Sequence, residues 1–106
     1  MATEKAMKEY ETIYIIRPNI DEEAADRVAQ GVDDYIKSVG AVIELSDKKG
    51  RRRLAYEVDK MRDGYYVVTT FKAKADVVGQ IKRMMTLSED IVRSLIVVRS
   101  KEIVAQ

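Results

Sequence analysis

Two amphipathic helical segments, each enclosed between strand-like runs, leave few folds open to this chain. The first begins after Asp21, which is a good N-cap residue, and ends at Gly40, a good helix terminator. The second lies at residues 76–85, with Asp76 near its start. Because both segments repeat apolar residues at helical spacing, the predicted order of elements is β-α-β-β-α-β. The apolar residues of the first segment are Ala25, Val28, Ala29, Val32, Ile36 and Val39, and those of the second are Val77, Val78, Ile81, Met84 and Met85.

The four strand-like runs are rich in aromatic and β-branched residues, which favour extended structure. The second run is expected to be long and irregular, because a cationic segment around Gly50 interrupts or bulges it. The dipeptide Asp63-Gly64 is a common hairpin sequence and predicts a turn before the third run. The predicted strands cover residues 10–17, 41–58, 65–72 and 91–99.

Right-handed crossover connections convert this order into a four-stranded antiparallel sheet with both helices on one face. This is the ferredoxin-like split βαβ arrangement, an α+β fold. In it we expect the third strand to lie beside the first, and the first and fourth strands not to pair. The other face of the sheet has no cover from the helices, so its residues are available to a partner.

The composition favours one small domain in a reducing compartment. The 106 residues, 46% of them hydrophobic, supply enough apolar surface for one core, so we expect a single domain at 1–106 with flexible termini at 1–8 and 102–106. The absence of cysteine removes disulfides and thiolate metal sites and agrees with a cytoplasmic location. No apolar run has the length of a membrane span, and the N-terminus lacks the features of a signal peptide, so we expect no membrane partner.

An enzyme or a metal site is not expected. Histidine is absent, and with it the commonest general base and the commonest metal ligand. The loop at 17–19 has the arginine that a small acyl-phosphate hydrolase of this fold needs, but it lacks glycines whose amides converge on an oxyanion. The acidic pairs at 22–23 and 89–90 suit helix starts and links, with no second pair at metal-ligand spacing. We therefore expect no catalysis, cofactor, metal or small-molecule substrate.

Strand alternation predicts which residues lie on the uncovered face of the sheet. If Tyr65 and Val67 of the third strand face the helices, the residues between and after them face outward. The outward residues are largely apolar, and a contiguous exposed apolar patch usually marks a docking surface for a protein. The alternatives are that loops or termini cover this face, or that two copies of the chain pair through it. The expected partner-binding residues are Ile13 and Ile15 in the first strand, Val68 in the third, and Ile96 and Val98 in the fourth, with Ser94 beside them.

The segment KKGRRR, residues 48–53, places five cations in six positions. Because 19 basic and 18 acidic residues leave a net charge of only +1, any attraction for nucleic acid must be local. The planar fork of arginine donates two parallel hydrogen bonds to phosphate, so one interpretation of the segment is a phosphate-binding site. The alternative is a solvated turn that also protects an edge strand from aggregation.

The same strand order occurs in the RNA recognition motif, whose central strands stack bases on aromatic side chains. Its consensus for the third strand is matched here by Gly64, Tyr65 and Val68. Asp63, however, stands where the consensus has a cation, and Thr70 stands where it has an aromatic residue. We therefore expect contact with RNA to be electrostatic, without base stacking on the open sheet.

Four segments in order, YETIYIIRPNI, KKGRRRLAYEV, DGYYVVTTFK and LSEDIVRSLIVVRS, resemble the family of the sixth protein of the bacterial small ribosomal subunit. The likeness runs from residue 10 to residue 101 and needs no insertions. Its most specific part is Gly50 together with residues 52–56, Arg-Arg-Leu-Ala-Tyr. Arg51 stands where some relatives carry an apolar residue.

The resemblance implies a non-enzymatic, cytoplasmic component of the ribosome with a ferredoxin-like fold. Members of this family bind the central domain of small-subunit ribosomal RNA as a heterodimer with the eighteenth protein of the subunit. Joint binding suits a chain with little net charge and an apolar exposed face. By the same likeness, Leu54 and Tyr56 are packing residues. The expected RNA-binding residues are Lys8, Tyr10, Lys49, Arg51, Arg52, Arg53, Arg93 and Arg99.

Overall fold

The computed structural model describes residues 7–58 and 61–99. In this part of the chain the six predicted elements occur in the predicted order. Met7 and Lys8, which we expected in a flexible terminus, belong to the first strand, and the rest of both predicted termini lies outside the described residues. The elements are β1 (Met7–Ile16), α1 (Glu22–Ser38), β2 (Val42–Val58), β3 (Met61–Lys74), α2 (Ala75–Leu87) and β4 (Ile91–Val98).

The four strands form one antiparallel sheet in the order β2-β3-β1-β4. β3 lies beside β1, as predicted. β1 also pairs with β4, from Tyr10 opposite Val98 to Ile16 opposite Ile91, so the prediction that these two strands do not pair is wrong. The reason is that each helix joins two parallel strands and leaves space for one antiparallel strand between them. β3 fills the space left by α1, and β1 fills the space left by α2.

The helix α1 begins and ends at the two residues that the sequence marks. The Asp21 carboxylate accepts a hydrogen bond from the Ala24 amide at 2.8 Å and caps the first turn. At the other end Gly40 has a φ of 95°, and the amide of Ala41 donates to the Ile36 carbonyl at 3.2 Å. This is the Schellman arrangement, which turns the chain towards β2 and needs a residue that tolerates positive φ.

Both helices pack on the same face of the sheet, and the core lies between them and the strands. Tyr14, Phe71 and Ile36 are completely buried. The rings of Tyr10 and Phe71 stack with their centroids 5.8 Å apart. Burial of one such large apolar side chain contributes about 1.5–3 kcal/mol. The predicted helical periodicity is confirmed by the buried residues Ala25, Ala29, Val32 and Ile36 of α1 and Ile81 and Met85 of α2.

The hairpin of β2 and β3 is longer than predicted. Arg52 lies opposite Gly64 and Arg53 opposite Asp63, and after a register shift Val58 lies opposite Met61. The predicted turn at Asp63-Gly64 is therefore wrong, and the cationic segment is part of a strand rather than a solvated turn. The predicted irregularity of β2 is confirmed by shifts in its register, one of them directly before Gly50.

Gly64 has a packing role instead of a turn role. A Cβ atom on this residue would lie 2.5 Å from Cγ2 of Ile15 and 3.0 Å from the carbonyl oxygen of Ile16. Glycine inside a strand often marks such a close approach of neighbouring groups. The side chain of Ile15 therefore packs against the backbone of β3 at this point.

A β-bulge at the start of β4 reverses the faces that were predicted for this strand. Ile91 lies opposite Ile16, but the next pair joins Arg93 to Ile15, so two residues of β4 match one residue of β1. Ile91 is buried in the core. Simple alternation counted from this residue assigns every later position of β4 to the wrong face.

The predicted outward positions of Ser94, Ile96 and Val98 are therefore wrong. Residues directly opposite one another in an antiparallel pair share a face of the sheet. Ile96 lies opposite the buried Thr12 and packs against the core. The residues of β4 beyond the bulge that face away from the helices are Arg93, Leu95 and Val97.

Candidate partner and RNA interfaces

The face of the sheet opposite the helices, the open face, has an apolar centre. Val68, Ile13 and Leu95 lie side by side across β3, β1 and β4. Leu95 is 57% exposed, and Val97 on the same strand is 38% exposed. Leu45, 59% exposed, extends this surface onto β2. Neighbouring exposed apolar side chains of this kind mark a docking surface.

Three of the five residues predicted to bind a partner lie on the open face, namely Ile13, Ile15 and Val68. Ile15 is only 7% exposed, since it packs against β3. The other two, Ile96 and Val98, lie on the face that carries the helices. The predicted docking surface is thus shifted along β4 by one residue.

Leu45, Leu95 and Val97 were not among the residues predicted to lie on the docking surface. Each of them follows an irregularity of the ladder, at residues 43–45 of β2 or at the start of β4. The fourth strand has apolar residues at both alternating sets of positions, so its pattern agrees with either orientation. Only the register with β1 separates the two, and no residue type in the run signals it.

Charged residues border the apolar centre at both ends of the open face. At one end Arg52 of β2 and Arg93 of β4 lie on the two edge strands. At the other end Lys72 forms an ion pair with Glu44 at 3.3 Å, and Glu11 adds a negative charge. The first end of the open face therefore carries the more positive potential.

The cationic segment is only partly open to phosphate. Lys48 lies 3.8 Å from Asp26 of α1, and Lys49 lies 2.8 Å from Asp47 on its own strand. Such surface ion pairs are weak, about 0–1 kcal/mol each, but they place a carboxylate where a phosphate would compete for the same cation. Within the cationic segment, the exposed arginines that make no ion pair or side-chain hydrogen bond with the described residues are Arg52 and Arg53.

Arg51 directs its donors into the protein. Its guanidinium donates to the Asp63 carboxylate at 3.2 Å, the Tyr65 hydroxyl at 3.0 Å and the Pro18 carbonyl at 2.9 Å, and lies 4.9 Å from the centroid of the Tyr65 ring. The Tyr65 hydroxyl in turn donates to the Ile20 carbonyl at 2.9 Å. The hydrogen bonds to Tyr65 and Asp63 raise the pKa of Arg51 above its ordinary value. These hydrogen bonds commit three of the five N–H donors of Arg51 to the protein itself, which favours phosphate contact at Arg52 and Arg53 over contact at Arg51.

Tyr10 cannot stack on RNA. Its side chain is 5% exposed and its ring packs on Phe71 inside the core. The prediction that Tyr10 faces RNA is wrong because β1 is a central strand whose even-numbered residues point at the helices.

Lys8 and Arg99 lie at the end of the sheet opposite to the cationic segment and Arg93. Lys8 is exposed but sits opposite Ala73, at the end of β1 where the strand begins. The amide of Arg99 donates to the Glu9 carbonyl at 2.8 Å, so Arg99 belongs to this same end. At the opposite end of the sheet lie Arg52 and Arg93, on the open face of the two edge strands, and Arg53, which follows Arg52 in β2 and therefore points to the other face.

The loop that follows β1 uses its arginine for packing. Nε of Arg17 donates to the Asp90 carboxylate at 2.8 Å, and the Arg17 amide donates to the Asp90 carbonyl at 2.9 Å. Nη1 of the same residue donates to the Asn19 side chain at 2.8 Å. The loop therefore ties the end of β1 to the start of β4, which leaves the hydrolase alternative without its anion-binding arginine.

Two titratable groups on the helix side have perturbed pKa values. Burial, with a smaller effect from Asp33, raises the pKa of Tyr14 far above its ordinary value, and the Tyr14 hydroxyl has no hydrogen-bond partner within the described residues. Burial also raises the pKa of Asp33, against the opposing effect of the Ser46 hydroxyl at 3.3 Å. Neither group lies on the open face, so their perturbation concerns stability rather than binding.

No metal centre accompanies these surfaces in residues 7–58 and 61–99. No group of three or more aspartate or glutamate side chains in that part of the chain is placed to hold a metal ion. The two described helices are also too short or too polar to cross a membrane. What the site offers is therefore an apolar surface with a cationic end.

Comparison with known proteins gives a consistent result. The family model described as "Ribosomal protein S6" matches residues 9–98. A small ribosomal subunit protein bS6 from Carboxydothermus hydrogenoformans is 36% identical over 95 residues, which span 90% of this chain and 99% of the relative. The bS6 protein from Halalkalibacterium halodurans is 39% identical over 90 residues, 85% of this chain and 95% of the relative. The crystal structure of 30S ribosomal protein S6 from Thermotoga maritima matches with a TM-score of 0.86 and 28% identity, covering 94% of this chain and 98% of that one.

Proposed function

Because the chain belongs to the ribosomal protein S6 family, we propose that it binds small-subunit ribosomal RNA jointly with a partner, the eighteenth protein of that subunit. The family is a structural, non-enzymatic component of the small ribosomal subunit. Membership therefore confirms the predictions that the protein is not an enzyme and that it works in the cytoplasm, on the ribosome. The match to the Thermotoga maritima structure likewise confirms the ferredoxin-like fold.

The observation that carries the proposal is the division of the open face into an apolar centre and a cationic end. The centre around Ile13, Val68 and Leu95 suits a protein, since apolar contact area stabilises a protein interface and the phosphate backbone offers none. The arginine end, with Arg52 and Arg93, suits phosphate oxygens. A partner on the centre and an RNA strand at the end would occupy adjacent parts of one surface.

The charge of the chain favours joint binding over binding alone. Each phosphate contact contributes about 0.9 to the magnitude of the slope of log affinity against log salt concentration. Three contacts therefore raise the affinity for RNA about 500-fold at about 0.1 M salt relative to about 1 M salt. That increase in affinity corresponds to about 3.7 kcal/mol of binding free energy, which by itself gives a Kd in the millimolar range. Arg52, Arg53 and Arg93 by themselves therefore give only weak binding. A partner that adds cations and contact area raises the affinity of the pair.

The proposed mechanism is positioning. Two of the arginines lie on β2 and one on β4, in a hydrogen-bonded sheet backed by the core, so the spacing of their backbone positions is fixed before RNA arrives. Contacts to phosphate set the orientation of the protein on the RNA without reading its sequence. No bond is made or broken.

A titration of the two proteins with a transcript of the central domain of small-subunit ribosomal RNA tests the proposal. We expect the two proteins together to bind at least about 100-fold more tightly than this chain alone, whose Kd is expected near the millimolar range at about 0.1 M salt. Equal affinity with and without the partner would contradict joint binding. Absence of binding by the pair would contradict the RNA-binding function itself.

A further inference from the structure

Asp63 lies directly opposite Arg53 on the neighbouring strand. Opposite residues of an antiparallel pair have Cβ atoms about 4.5–5.5 Å apart, which is within reach of an ion pair. Asp63 instead accepts a hydrogen bond from Nη1 of Arg51 at 3.2 Å, and Arg53 makes no ion pair within the described residues. An arginine on the diagonal has thus taken the carboxylate that faces Arg53.

Three contacts explain why Arg51 holds this carboxylate. Its second terminal nitrogen donates to the Pro18 carbonyl and the Tyr65 hydroxyl, and its guanidinium lies over the Tyr65 ring. A guanidinium that is already fixed loses little additional freedom when it binds a carboxylate. Arg53 would have to lose the freedom of a long, exposed side chain to make the same pair.

We propose that Arg51 is a positioning residue that masks the charge of Asp63 and so keeps Arg53 available to RNA phosphate. The inference rests on the proposed RNA-binding function, and it adds a role for a residue that touches no RNA itself. An unmasked Asp63 carboxylate would compete with phosphate for the Arg53 guanidinium and repel the approaching backbone.

The expected effect follows from the loss of one phosphate contact. Losing the Arg53 contact lowers the magnitude of the salt slope by about 0.9, which is about an 8-fold loss of affinity at about 0.1 M salt. Replacing Asp63, which lies opposite Arg53, by a neutral residue should recover both the salt slope and the affinity. The recovery separates masking from direct contact, because a direct contact by Arg51 stays lost whatever stands at position 63.

The experiment measures RNA affinity of the heterodimer over a range of salt concentrations for four forms of this chain. They are the unsubstituted chain, Arg51→Met, the double variant Arg51→Met with Asp63→Asn, and the charge-matched control Arg83→Met on α2. We expect about an 8-fold loss for Arg51→Met, a return to within about 2-fold for the double variant, and a change below about 2-fold for the control. A double variant as weak as Arg51→Met, or an Arg51→Met variant equal to the control, would overturn the proposal.

Two further variants guard against a purely structural effect of Arg51. Arg51→Lys keeps a cation near Asp63 but loses the contacts with Pro18 and Tyr65 that fix it, so masking predicts a smaller loss of affinity than Arg51→Met, and one that Asp63→Asn restores, whereas a bracing role predicts a loss that Asp63→Asn does not restore. Arg53→Ala should cost about 8-fold in the unsubstituted chain and almost nothing in the Arg51→Met background. Equal costs in both backgrounds would overturn the proposal.

A crystal structure of the free Arg51→Met variant tests the masking without RNA. We expect Arg53 to form an ion pair with Asp63 in that structure. An Arg53 side chain that points away from Asp63 would overturn the inference, whether or not the unsubstituted heterodimer binds RNA. Failure of the RNA titration with the unsubstituted pair, by contrast, would refute the proposed function.

Discussion

Replacing Arg52 and Arg53 together by alanine should weaken RNA binding by the heterodimer in a way that depends on salt. Both side chains are exposed and lack ion-pair partners within the described residues. If each contacts one phosphate, the double substitution lowers the magnitude of the log-log salt slope by about 1.8. At about 0.1 M salt this corresponds to about a 60-fold loss of affinity, and at about 1 M salt the loss should nearly vanish.

The measurement is RNA affinity of the heterodimer by fluorescence anisotropy at several salt concentrations. Because neither arginine packs in the core, the free energy of unfolding should change by less than about 0.5 kcal/mol, which a denaturant titration checks. The matched control is Lys82→Ala with Arg83→Ala, which removes the same charge from exposed positions of α2 on the other side of the sheet. An unchanged slope, or an equal change in the control, would refute the assignment of Arg52 and Arg53 to phosphate.

Three further outcomes are expected. Leu95→Asp should prevent binding of the partner protein in a pull-down assay, whereas Leu87→Asp, which changes an even more exposed leucine on α2, should leave it intact. Gly64→Ala should destabilise the fold by about 1–3 kcal/mol in a denaturant titration, because the new Cβ collides with Ile15. Burial raises the pKa of Asp33 in the folded protein, so the free energy of unfolding falls as pH rises through that pKa. Asp33→Asn should therefore raise the melting temperature at pH 7 relative to the unsubstituted chain. Below the ordinary aspartate pKa this difference in melting temperature should disappear. A melting-temperature difference that does not depend on pH would contradict the conclusion that the pKa of Asp33 is raised in the folded protein.

The fold could be predicted from the sequence because each element carries its own local signal. The cap at Asp21, the terminating glycine at position 40 and the stripe from Ala25 to Ile36 mark α1 independently of the rest of the chain. The order of six such elements leaves one common sheet arrangement, so the open face follows from the sequence alone.

The errors arose where pairing between distant strands decides the outcome. The bulge at the start of β4 depends on the fit between Ile91 and Ile16, which no local pattern shows. The Asp63-Gly64 dipeptide reads as a turn, but the glycine is needed for contact with Ile15. These are tertiary constraints that override local propensity.

The candidate site was predicted in part for the same reason. The cationic segment is visible as residue types, but the sequence does not show which cations are already paired. Arg51 and Arg52 are neighbours with the same side chain, yet one is bonded to Asp63 and Tyr65 and the other is exposed. The pairing depends on which face of β2 each residue occupies, and therefore on the register with β3.

The central claim is that a protein partner covers the centre of the open face and RNA covers its arginine end. Because the chain has no cysteine, replacing Leu95, Arg52 or Leu87 singly by cysteine gives three variants, each with one site for a thiol reagent. Mass spectrometry measures how much of this chain is labelled in each variant. We expect the cysteine at position 95 to be protected once the partner protein is bound, the one at 52 only after RNA is added, and the one at 87 to react fully throughout. Full reactivity at position 95 in the complete complex, or protection at 87 in its place, would contradict the account.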